Sequence, residues 1–120
     1  MEKRVLVVDD DPPTRQMVSA VLMHSDFAVD LCETGQEALT RLESSRYGVL
    51  VLSLVQKDPS GDAEILRKLR EKEKPPCVVV LSAGSQTLLE RTASDLIVAR
   101  LRKPFRIDDL VGAVKKCFEH

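Results

Sequence analysis

Five short apolar runs punctuate the chain: Val5 to Val8, Phe27 to Leu31, Val49 to Leu54, Val78 to Leu81 and Leu96 to Leu101. The first, third and fourth are continuous rather than alternating. That pattern suits strands buried on both faces, the situation of a parallel sheet. Phe27-Ala28-Val29-Asp30-Leu31 alternates and predicts an edge strand. Leu96 to Leu101 carries Arg100, with Arg102 two places on and hence on the same face, which predicts the other edge.

Helical spacing fills the gaps. Residues 14 to 24 set Met17, Val18, Val21 and Leu22 on one stripe behind Pro12 and Pro13, which suit a helix entry. Residues 35 to 43 group Ala38, Leu39 and Leu42, and residues 62 to 72 group Ile65, Leu66 and Leu69. A weaker helical pattern covers 85 to 93. The last helix is expected to start after an Ile107-Asp108 staple-and-cap pair and to bury Leu110, Val111, Val114, Cys117 and Phe118. Strand and helix alternate throughout, so the expected fold is α/β: a doubly wound parallel sheet with helices on both faces. In such sheets ligands bind outside the carboxyl ends of the strands, and chemistry is to be sought there.

Composition narrows the function classes. The 120 residues suit one domain, 1–120. With one tyrosine, three phenylalanines and no tryptophan the core must be aliphatic. A net charge of -1 argues against direct nucleic-acid binding. The first apolar run stops at three aspartates, unlike a secretory signal, and no run approaches membrane-spanning length, so a cytoplasmic location without membrane contact is expected. Cys32, Cys77 and Cys117 are odd in number and far apart. They predict buried free thiols rather than a disulfide framework or a zinc site.

At the strand ends stand Asp9-Asp10-Asp11, Ser82-Ala83 and Lys103-Pro104-Phe105. Adjacent carboxylates repel unless a cation or a basic side chain is near, and hard oxygen ligands suit Mg²⁺. The triplet alone would equally suit a helix N-terminus, where negative charge is favoured. Acids bind a cation, while a hydroxyl and an ammonium bind phosphoryl oxygens, so the ordered set is more specific than any member.

Carrying these motifs, together with Thr34-Gly35-Gln36-Glu37-Ala38-Leu39 and Tyr47 to Leu52, the chain resembles the response-regulator receiver domain of two-component signalling over essentially its whole length. The resemblance implies a five-stranded flavodoxin-like sheet of order 2-1-3-4-5 that takes a phosphoryl group from a histidine kinase onto an aspartate beside Mg²⁺. It implies Asp9 and Asp10 as metal-site acids, Ser82 as the switch hydroxyl and Lys103 as the phosphoryl-contacting lysine. A cis Lys103-Pro104 bond follows by the same resemblance.

Several positions depart from the family pattern. Where the phospho-accepting aspartate should end strand 3, this chain has Ser53, and the nearest aspartate in sequence is Asp58. A serine needs a base to become a comparable nucleophile, and neither His24 nor His120 is placed to supply one. The following loop has Lys57 where the family usually has proline; its ammonium could point at Asp9 and Asp10, or simply face solvent. The aromatic switch position is Arg100.

The expected function is therefore an atypical receiver in phosphorelay signalling, not an enzyme, working as a phosphorylation-independent protein-interaction module. No cofactor is assigned, though weak Mg²⁺ binding is open. The expected partner is a histidine kinase or an output domain, with a homodimer also open. Contact is expected through the 85–93 helix, the fifth strand and the last helix, where Arg91, Arg100, Arg102 and Arg106 make a basic face. Two alternatives stand: a working phosphorelay receiver with a displaced acceptor, Asp10 or Asp58, and a small Mg²⁺-dependent phosphohydrolase with Asp9 as nucleophile.

Overall fold

Burial on both faces decides where the strands lie. In the computed structural model, β1 (Arg4–Val8), β2 (Ala28–Cys32), β3 (Val49–Ser53), β4 (Cys77–Ser82) and β5 (Ile97–Arg102) form one parallel sheet of order β2-β1-β3-β4-β5. The helices are α1 (Pro12–His24), α2 (Gly35–Ser44), α3 (Pro59–Arg70) and α4 (Ile107–Phe118). The structure describes residues 3–53, 59–82 and 96–119, with side chains throughout except at 59–63. The helix expected at 85–93 lies outside the described residues.

The strand period of two sorts the core into two layers. Leu6, Val8, Leu50, Leu52, Val78 and Val80 face Ala38 and Leu42 of α2 and Ile65, Leu66 and Leu69 of α3. Val5, Val7, Val49, Val51, Val79 and Leu81 face Val18 and Leu22 of α1 and Leu110 and Val114 of α4. Every residue of β3 is buried, which explains its unbroken apolar run. The predicted edge strands, β2 and β5, are the borders. β5 alternates in burial, with Val98, Arg100 and Arg102 outward.

Local signals explain most element ends. Asp11 caps α1, its side chain accepting from Thr14 N, and Pro12 and Pro13 occupy the first turn. Thr34 Oγ1 accepts from Glu37 N at 3.2 Å and starts α2. α1 closes with Asp26 N donating to Met23 O (3.1 Å) and Phe27 N to Leu22 O (3.2 Å), while Asp26 takes φ 70°. This is a Schellman end with aspartate in the left-handed position usually held by glycine.

That closure corrects the expected second strand. Phe27 belongs to the helix stop, and β2 begins at Ala28 opposite Arg4. Met17 is also corrected: it is 39% exposed, because Val18 and Leu22 supply the buried stripe of α1 and Val21 only flanks it. The Ile107-Asp108 cap is not formed. Arg106 is the N-cap without a side-chain bond, Ile107 is exposed, and Asp108 and Asp109 lie inside the first turn, where their charge favours the helix N-terminus. Leu110 and Val114 are buried; Val111, Cys117 and Phe118 are half-buried. Of the cysteines only Cys32 is fully buried, Cys77 and Cys117 being half-buried.

Candidate functional site

The register sets the site. Val8 pairs with Leu52, so the next step brings Asp9 beside Ser53 at the carboxyl edge of the two central strands. Asp9 N extends the ladder to Cys32 O at 3.2 Å. Its carboxylate is 1% exposed, and Ser53 is 3% exposed. A carboxylate so placed needs donors. Oδ1 accepts from Asp11 N at 2.9 Å. Oδ2 accepts from Ser53 Oγ at 2.5 Å and from Lys103 Nζ at 3.3 Å.

Lys103 reaches this point because β5 ends at Arg102 and the chain then turns inward. Its backbone N donates to Ser82 O at 2.7 Å, and the Lys103-Pro104 bond is cis, as expected. Ser82 ends β4 and is half-buried. Arg15, one turn into α1, donates from Nη1 to the Asp9 carbonyl at 2.8 Å and approaches Glu33 at 3.7 Å. Sequence reasoning missed Arg15; its place four residues after the capping Asp11 was the available hint.

The three aspartates divide their work. Consecutive residues leave a strand end in different directions, so Asp9 turns inward while Asp10 and Asp11 are exposed. Asp11 is held below the ordinary carboxylate range, first by the Thr14 hydroxyl and then by Thr14 N–H. The helix-start reading of the triplet therefore holds for Asp11. Arg100 is exposed on β5. Lys57, Asp58 and Arg91 lie outside the described residues.

The donor set fits a hard divalent cation poorly. Oδ2 already takes two donors and Oδ1 one, and the ammonium neutralises the charge a cation would seek. Among the described residues, no group of three or more His, Cys, Asp or Glu side chains could hold a metal ion. None of their buried side-chain N or O atoms lacks a hydrogen-bond partner.

The response regulator receiver domain family matches residues 5–115. This chain belongs to that family. The transcriptional regulatory protein ResD of Bacillus subtilis is 30% identical over 118 residues, 95% of this chain and 47% of its own length. The response regulator ArlR of Staphylococcus haemolyticus is 28% identical over 116 residues, 92% of this chain and 50% of its own. This receiver thus spans about half the length of these curated relatives. A response regulator from Thermotoga maritima superposes with a TM-score of 0.83 at 28% identity, covering 100% of both chains. The Francisella response regulator 1452 receiver domain does so at 0.84 and 26% identity, covering 98% of each. The sheet order is that of these flavodoxin-like neighbours, and the function is that of a receiver in two-component signalling. Such domains interact with histidine kinases and output domains. No helix among the described residues is long and apolar enough to cross a membrane.

Proposed function

We propose that residues 1–120 form one receiver unit that signals through protein contact without aspartyl phosphorylation, Ser53 holding the acceptor position. The observation that carries this reading is the Ser53 hydroxyl, which ends β3 and donates to Asp9 Oδ2 at 2.5 Å. A carboxylate there would be ionised at neutral pH and ready to attack phosphorus. A serine must first shed a proton, and a carboxylate is a weak base toward an alcohol. Lys103 has turned to Asp9, at 3.3 Å, so the ammonium that would meet a phosphoryl group already serves as the internal counterion. Asp9 and Asp10 remain the acids of the pocket, Ser82 its hydroxyl, and Mg²⁺ is at most weakly held.

The contact surface in this reading is β5 with α4, where Arg100, Arg102 and Arg106 are exposed and favour an acidic surface on a kinase or an output domain. Arg100 stands at the usual aromatic switch position, and its exposure on the border strand fits a module without the usual inward-outward switch. A chain of this kind is a binding module, not an enzyme.

Incubation with acetyl phosphate and Mg²⁺, followed by intact mass measurement, tests the proposal. The expected result is an unchanged mass. A stable adduct on Ser53 would overturn it. A hydroxylamine-labile adduct on Asp10 or Asp58 would instead establish a displaced acceptor, and turnover of an aryl phosphate would establish a hydrolase using Asp9.

A further inference from the structure

Cys77 and Cys117 are far apart in sequence, yet the fold brings them together. Cys77 opens β4 and Cys117 stands one residue before the end of α4. Both are half-buried, and both line a groove of about 490 Å³ with Val98, Leu101 and Lys116. The two thiols lie close enough to act on each other, Cys77 contributing to the surroundings of the Cys117 sulfur. Neighbouring contacts fix the approach. Cys77 N donates to Gly48 O at 3.0 Å, and the Phe118 ring covers Gly48 where a Cβ would collide with it. Phe118 also stacks on Phe27 with centroids 5.6 Å apart. Cys77 and Phe118, the residue after Cys117, therefore meet at Gly48, at the amino end of the sheet. The Asp9 pocket is at the opposite end.

We propose that Cys77 and Cys117 form a reversible disulfide, a redox site that fastens α4 to the sheet when a hydroperoxide is present. The Cys77 sulfur attacks the peroxide O–O bond. An S–O bond forms, the O–O bond breaks, and the hydroxide released takes up the proton from the Cys77 thiol as water. The Cys117 sulfur then attacks the Cys77 sulfur. An S–S bond forms, the S–O bond breaks, and the departing hydroxide takes the Cys117 proton as a second water. Two thiols have lost two electrons, and one hydrogen peroxide has become two waters.

The balance is the same whichever sulfur is oxidised first, the other then displacing the oxygen. Burial pushes the Cys117 thiol up, with the hydrogen bond and charge of Cys77 adding to the shift. Cys32 takes no part: it is buried, and burial pushes its thiol up to about 11.

The test uses the full chain with equimolar hydrogen peroxide, alkylation of remaining thiols, intact mass measurement and peptide mapping. The expected product is monomeric, lighter by two hydrogen atoms, and yields a linked Cys77–Cys117 peptide pair. Dithiothreitol should reverse it, and its melting temperature should rise by several degrees. Cys32→Ser should oxidise identically, whereas Cys117→Ser should stop at an oxygen adduct on Cys77. Oxygen adducts without a cross-link in the unsubstituted chain, a link through Cys32, or disulfide-joined dimers would each overturn the proposal. Because the mapping is done on the unsubstituted chain, misfolding of a variant would not obscure the result.

Discussion

The ammonium of Lys103 meets the carboxylate of Asp9 at 3.3 Å, although β3 and β4 stand between the strands that carry them. The pair ties the last border strand to the centre of the sheet, and it shares its acceptor oxygen with Ser53.

Removing the ammonium leaves a buried charge with two donors instead of three. Lys103→Met keeps most of the stem and should cost about 1–3 kcal/mol. That lies below the figure for a fully buried pair because 28% of the Lys103 side chain meets solvent. Urea unfolding measures it, and combining the change with Asp9→Asn should recover part of the loss. An unmoved midpoint in the single variant would mean the contact is energetically idle.

Ser53→Asp sets a second carboxylate against Asp9. Two acids at hydrogen-bonding range repel, so the variant should melt below the parent in chelator. A divalent cation relieves that repulsion by binding the folded form, and saturation at about a hundredfold over the dissociation constant contributes about 2.7 kcal/mol. Thermal melts with and without Mg²⁺ should therefore diverge for the variant and nearly coincide for the parent. Equal Mg²⁺ responses would count against the poor metal fit derived for the Ser53 pocket.

Asp30 and Tyr47 give the chain a pH signature. The Tyr47 hydroxyl donates to Asp30 Oδ2 at 2.6 Å and holds the carboxyl below its ordinary 3.8, with Arg4 assisting at 3.1 Å. A lowered carboxyl in the folded state adds stability above about pH 4 that is lost as pH falls through the folded value. Burial, with the bond to Asp30, raises Tyr47 above 10.0. A raised phenol adds stability below about pH 10 that is lost as pH climbs through the folded value. Tyr47→Phe should flatten both limbs of a stability profile taken by urea unfolding from about pH 3 to about pH 11. Limbs as steep as the parent's would place the dependence elsewhere.

Asp26 sits at φ 70°, a conformation that costs an ordinary L residue about 1–2 kcal/mol and glycine almost nothing. Aspartate tolerates it better than most, and glycine loses more chain entropy on folding. Asp26→Gly should therefore stabilise by about 0.5 kcal/mol, read as a higher urea midpoint at unchanged slope. A lower midpoint would show that the aspartate side chain contributes something glycine cannot replace.

Much of this architecture was legible because its cause is local. β1, β3 and β4 announced themselves as unbroken aliphatic runs, since strands covered on both faces have no solvent side to mark. Arg100 and Arg102 disclosed a border strand for the opposite reason. Phe27 misled because a hydrophobic residue closing a Schellman end follows the same apolar pattern as the strand after it. Met17 misled because a helical stripe read from sequence does not say how wide the covering face is. The Asp9 pocket was legible only as residue types at strand ends. That Lys103 turns to Asp9 and that Cys77 lies near Cys117 depend on which strands lie side by side. Such pairings join residues distant in sequence and leave no local trace.

The sheet's two borders carry a further consequence. β2 offers Asp30, engaged by Arg4 and Tyr47, and β5 offers Arg100 and Arg102 beside Val98. A foreign strand aligning with either rim would have to accommodate these charges. The molecule is thereby biased against self-templated stacking into fibrils, and its encounters fall to helices and side chains, which can let go again.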